Sequence, residues 1–138
     1  MNLRILALIA SAAVVVQGCK HVSPAPKPDT PAIRISNYEV IKVPTGGGNI
    51  HLDGVGATPN SEVILNLNYS VGYQDTEQLL KIITSDGTGA FTYWGYQECV
   101  FATNTPGPTG ASLEARDTAT GTFSRTHNLD PSFLICPK

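Results

Sequence analysis

The sequence predicts an all-β antiparallel sandwich, and three observations carry that expectation. From residue 33 onward, apolar residues recur with period two in short runs, and nothing sustains a helical period over three turns. Clusters of turn-forming residues separate the runs at short intervals. Seven to nine such runs within roughly 100 residues are the pattern of two packed sheets.

The runs follow in order. Ile33 and Ile35 alternate with polar neighbours, as do Tyr38 and Val40, then Ile50 and Leu52. Val63, Leu65, Leu67 and Tyr69 hold period two over residues 62–69, the clearest strand in the chain. Residues 79–83 form an apolar run interrupted by Lys81. Phe91 and Tyr93 then alternate with Thr92 and Trp94, and Cys99-Val100-Phe101 gives a short strand signal. Residues 113–115, 122–128 and 133–136 complete the set. The breaks are Gly46-Gly47-Gly48, Thr58-Pro59-Asn60, Asp86-Gly87-Thr88-Gly89, Pro106-Gly107-Pro108 and residues 117–121. Asp86-Gly87-Thr88-Gly89 reads as a hairpin turn, whereas residues 68–78 look longer than a simple hairpin connection.

With 41% hydrophobic and 14% charged residues the chain is globular rather than disordered. Its formal net charge is −2 and no lysine or arginine run occurs, so nucleic acid is not an expected partner.

The first residues have a different organisation. Arg4 gives the start a positive charge, and residues 5–16 are apolar apart from Ser11. That length suits the core of a signal peptide and falls short of the roughly 20 residues of a membrane span. The stretch ends in Val16-Gln17-Gly18-Cys19, which resembles the lipobox of bacterial lipoproteins. A branched residue stands three before the cysteine, and a small one directly precedes it so that a peptidase reaches the bond. The resemblance implies a leader over residues 1–18, a diacylglycerol on Cys19 and membrane attachment through that lipid, with palmitate among the acyl chains. Lys20 follows the cysteine, rather than the aspartate that retains many lipoproteins at an inner membrane, so the outer membrane is expected where one exists.

Residues 20–32 carry prolines at 24, 26, 28 and 31. They cannot form a helix or a ladder, and read as an extended spacer reaching about 40 Å. The domain is expected over residues 33–138, after a lipidated and Pro-rich tether at 19–32. With Cys19 modified, Cys99 and Cys136 remain as an even set in an oxidising compartment, so a disulfide between them is expected.

Three segments carry a second resemblance. Gly54-Val55-Gly56-Ala57-Thr58-Pro59-Asn60-Ser61-Glu62-Val63, Ser85-Asp86-Gly87-Thr88-Gly89-Ala90-Phe91, and Ala115-Arg116-Asp117-Thr118-Ala119-Thr120-Gly121 look like motifs of bacterial immunoglobulin-like extracellular modules. The resemblance implies an immunoglobulin-like antiparallel β-sandwich. That fold hosts adhesive, spacing and enzyme-accessory roles alike, so it names no function.

Catalytic signatures are absent from the sequence. His21 falls in the spacer, and His51 and His127 belong to no metal-ligand motif. His51 and Asp53, on alternate strand positions, share a face by default. Asp86 and the Asp75/Glu77 pair lack the spacing of a calcium loop. No cofactor or metal is implied, and an enzyme is not expected. The sequence leaves one local feature for binding: if Phe91 faces the core, Trp94 points outward or lies under a loop. It could equally cover an edge of the core or the disulfide. Trp94 and Tyr96, with Tyr73 in the long connection, form the candidate binding surface for an envelope protein or a glycan. The expected role is a membrane-anchored, non-catalytic binding or structural module of the cell envelope. The alternatives are an accessory subunit or assembly factor of a membrane-bound machine and, third, an enzyme.

Overall fold

Alternating burial, clearest along β2 (Gly48–Val55) and β7 (Gly110–Asp117), builds two sheets around one core. In a computed structural model, residues 32–138 are described, so the leader, Cys19 and nearly all of the Pro-rich spacer lie outside the described residues. Nine strands follow: β1 (Arg34–Lys42), β2 (Gly48–Val55), β3 (Glu62–Val71), β4 (Gln74–Thr84), β5 (Phe91–Gln97), β6 (Phe101–Ala102), β7 (Gly110–Asp117), β8 (His127–Leu129) and β9 (Ile135–Cys136). One sheet has the order β1-β2-β5 and the other β4-β3-β7-β8, with every pairing in both antiparallel. The chain crosses between the sheets after β2, after β4 and, by way of β6, after β5, and the two sheets pack as a β-sandwich.

The core lies between the inner faces. Ile35, Ile50, Leu52 and Phe91 come from the three-stranded sheet, and Val63, Leu65, Leu67, Leu113 and Ala115 from the other. Phe91 lies over Gly54, its partner in the β2–β5 register, so a methyl group at Gly54 would overlap the ring. Gly54→Val is therefore expected to destabilise the fold by about 1–3 kcal/mol through overpacking. Urea unfolding of the variant measures it, and a wild-type midpoint would mean the ring has room to move.

Several sequence expectations need correction. Residues 68–78 are no long connection: β3 and β4 run through them and meet at Val71↔Gln74 around a two-residue turn. Gly72 takes φ 62°, the positive value that the first position of a type II′ hairpin turn requires. The Asp86 turn is real but closes no hairpin, because β4 and β5 belong to different sheets. Residues 122–128 form only an isolated bridge, Arg116↔Phe123, before the three-residue β8. Residues 133–136 are not one strand. Asp130 accepts a hydrogen bond from the Ser132 N–H at 3.0 Å, and Pro131 opens a 3-10 helix over Pro131–Leu134. That helix buries Phe133 and Leu134 before β9 begins. The strand signal at residues 99–101 narrows to β6, which pairs in parallel with β9.

The Cys99–Cys136 disulfide joins the loop after β5 to β9, with the Cα atoms 5.1 Å apart. At the other end of the sandwich the three resembling segments meet. Asp117 accepts hydrogen bonds from the Thr58 N–H (2.9 Å) and hydroxyl (2.7 Å), the Thr120 hydroxyl and the Ala119 N–H. The Ser85 hydroxyl donates to the Thr58 carbonyl at 2.6 Å and accepts from the Ser61 N–H at 3.1 Å. Burial pushes the Asp117 carboxyl up, but these hydrogen bonds outweigh it and hold the group below its ordinary value.

Candidate functional site

The outer face of the three-stranded sheet carries the aromatic residues that folding does not use. On β5, Phe91 is buried, so Thr92, Trp94 and Tyr96 fall on the opposite, outward face. On β2, Ile50 and Leu52 face in, and Asn49, His51 and Asp53 face out. The register lines these up with β1 in three rows: Ile41, Asn49 and Tyr96; Glu39, His51 and Trp94; Asn37, Asp53 and Thr92.

Each large ring is held in place. The His51 and Trp94 rings stack with centroids 3.8 Å apart and planes 11° from parallel. One face of Trp94 is thereby occupied, yet the residue remains 63% exposed. Tyr96, 52% exposed, donates its hydroxyl to the Gly46 carbonyl at 2.6 Å, which ties it to the β1–β2 turn. Beneath Trp94, Asp53 Oδ1 lies 3.4 Å from His51 Nε2 and accepts the Thr92 hydroxyl at 2.8 Å. The Thr92 hydrogen bond, aided by His51 and Asn37, holds the Asp53 carboxyl below its ordinary value against the opposing effect of burial. Asp53 thus accepts from Thr92 and lies beside His51, and Thr92 donates to the carboxylate rather than to the imidazole. The trio is a hydrogen-bonded brace, not the nucleophile–His–Asp relay that acyl transfer needs.

The structure brings Trp94 and Tyr96 together and sets Tyr73 apart, fully exposed at the β3–β4 turn of the other sheet. Trp94 covers neither the core edge nor the disulfide. Sequence reasoning named His51 without seeing that it stacks on Trp94, and it missed Asn37, Glu39, Ile41 and Asn49. Period two in β2 marks Asn49 as outward, but which outward residues of three strands become neighbours depends on register. His127 lies elsewhere: its ring packs on Tyr38 at 5.0 Å, where the β1 edge meets β8.

A second surface lies on the outer face of the four-stranded sheet. A depression of about 850 Å³ is lined by Asn68, Ser70, Glu77, Ser112, Glu114 and their neighbours. Asn66 Nδ2 donates to Glu77 Oε1 at 2.7 Å. Burial, and then the charge of Glu77, push the Glu114 carboxyl above its ordinary value. Among the described residues no three His, Cys, Asp or Glu side chains converge as metal ligands.

No known protein family matches the chain, and no curated protein matches it either. Among solved structures the chain is similar to DesR, a β-glucosidase from Streptomyces venezuelae, at 13% identity and a TM-score of 0.41. The similarity covers 72% of this chain but 15% of that one, so the chain spans a small part of the enzyme's length.

Proposed function

We propose that the protein is a lipid-anchored, non-catalytic binding module of the bacterial cell envelope, and that its binding surface is the outer face of β1, β2 and β5. The observation that carries this reading is the exposure of Trp94 and Tyr96 on one face while both rings are held rigid. Ordering costs weaken binding, and rings already fixed by His51 and Gly46 leave little to order. Exposed, preorganised Trp and Tyr are the residues on which binding energy concentrates.

The anchor is read from the lipobox at Cys19 and from the Pro-rich spacer after it. The Cys99–Cys136 bond is in keeping with an oxidising compartment and leaves Cys19 as the odd cysteine. Ala32 contacts Gly56 at the end of β2, whereas Tyr96 reaches Gly46 at the start of that strand. A lipid tether entering at Ala32 therefore leaves the Tyr96 end of the face pointing away from the attachment.

Two measurements test this. Cys19→Ser is expected to abolish palmitate labelling and to release or mislocalise the protein on fractionation; label retained by the variant removes the anchor. Purified Cys19→Ser chain without residues 1–18, added back to washed cell envelopes, should bind them, and adding Trp94→Ala should lower that retention about tenfold or more. Unchanged retention with the second substitution removes the binding surface.

A further inference from the structure

We infer that the outer face of β1, β2 and β5 binds a glycan, with the sugar rings of an extended saccharide chain stacked on Trp94 and Tyr96. The inference rests on the binding surface proposed above and names its ligand. The shape of the face is the first argument. Trp94 and Tyr96 occupy successive outward positions of one strand, about 7 Å apart along it. They present an open track rather than a closed pocket, which suits a chain of rings better than a single small molecule.

The chemistry around the rings is the second argument. Asn37 and Asn49 offer amides that both donate and accept, and Glu39 and Asp53 offer carboxylates that accept. All four stand in the three rows that contain Thr92, Trp94 and Tyr96. A pyranose has apolar C–H faces and a rim of hydroxyls that donate and accept. Its faces match an indole or phenol, and its rim matches an amide and a carboxylate one strand away and another of each two strands away. No lysine or arginine stands in these rows, so an anionic ligand would meet Glu39 and Asp53 without a compensating cation. The centre of a protein interface is depleted of Asp and Glu, because an apolar partner would strip water from them without replacing its hydrogen bonds. A hydroxyl-rich ligand replaces those bonds.

The third argument is the brace under Trp94. Asp53 is held by Thr92 and His51, and His51 supports one face of the indole. The free face is therefore set at a fixed angle to the flanking amides, as stacking combined with hydrogen bonding requires.

The chain contains a single tryptophan, so intrinsic fluorescence reports on Trp94 alone. The unlipidated Cys19→Ser chain, without the leader at residues 1–18, is titrated with cellohexaose, with chitohexaose and with laminarihexaose, all of them uncharged. At least one of these should shift the Trp94 emission to shorter wavelength in a saturable way and reduce its quenching by acrylamide. Tyr96→Ala should weaken that binding about tenfold, and Trp94→Ala should abolish retention on the matching insoluble polysaccharide. Both variants should stay folded and melt cooperatively, since neither side chain is in the core and the Tyr96 variant loses only the hydrogen bond to Gly46. Emission unmoved by all three saccharides overturns the inference, as does an equal response to choline chloride, a cation with no sugar ring. If envelopes retain the chain through Trp94 but lose that retention after protease digestion, the ligand is a protein. The glycan assignment then falls while the binding surface stands. If Trp94→Ala leaves envelope retention unchanged, both fall.

Discussion

Asp117→Ala is expected to destabilise the protein by about 3–5 kcal/mol, measured by urea unfolding at neutral pH. Asp117 is only 2% exposed, and its carboxylate receives the Thr58 N–H, the Thr58 hydroxyl, the Thr120 hydroxyl and the Ala119 N–H. Hydrogen bonds to a charged group contribute about 1.5–3 kcal/mol each, and their loss is not additive within one network. Removing the acceptor also strands the Thr58 donors in a partly buried loop, where an unmet donor costs about 1–3 kcal/mol. A loss below about 1 kcal/mol would mean that water replaces the carboxylate freely.

The same residue makes the fold sensitive to acid. The folded carboxyl lies below its ordinary value of 3.8, so the unfolded chain takes up the proton first as pH falls. The stabilisation from ionised Asp117 is present above that ordinary value and is lost as pH descends through the folded value. Wild-type protein should therefore lose stability below about pH 4. Asp117→Asn, which has no proton to take up, should lose less over the same interval.

Reduction of the Cys99–Cys136 bond is the other large effect, an expected loss of about 4 kcal/mol for a link between residues 37 apart. The parallel β6–β9 pairing that the bond secures has only two residues in each strand, too few to hold by itself. Phe133 and Leu134 remain buried in the core, so the expected result is a weakened fold rather than an unfolded one. Denaturation of the Cys99→Ala, Cys136→Ala double variant, beside the wild type with and without reductant, gives the figure. Proteolysis should localise the loosening to residues 98–110. If the double variant unfolds at the wild-type midpoint, the bond contributes nothing to stability.

By itself the sequence determined the class of fold and the buried face of β3, and it led to an expected bond between Cys99 and Cys136. Period two is imposed by strand geometry, so Val63, Leu65 and Leu67 announce a buried face whatever the strand pairs with. Phe91 likewise sets Trp94 and Tyr96 outward within one strand. Pairwise neighbours across strands were not legible in this way. That His51 stacks on Trp94, and that Asn49 stands beside Tyr96 with Ile41 beyond it, follows from the β1–β2 and β2–β5 registers. A slip of one residue would change every such pair. Tyr73 was misplaced because positive φ at Gly72 allowed a two-residue turn where polar composition suggested a long loop. The tertiary structure alone decided that Thr58, Ser85 and Asp117, from three separate segments, form one clasp. Hydrogen-bond partners 27 and 59 residues apart leave no local periodicity to read.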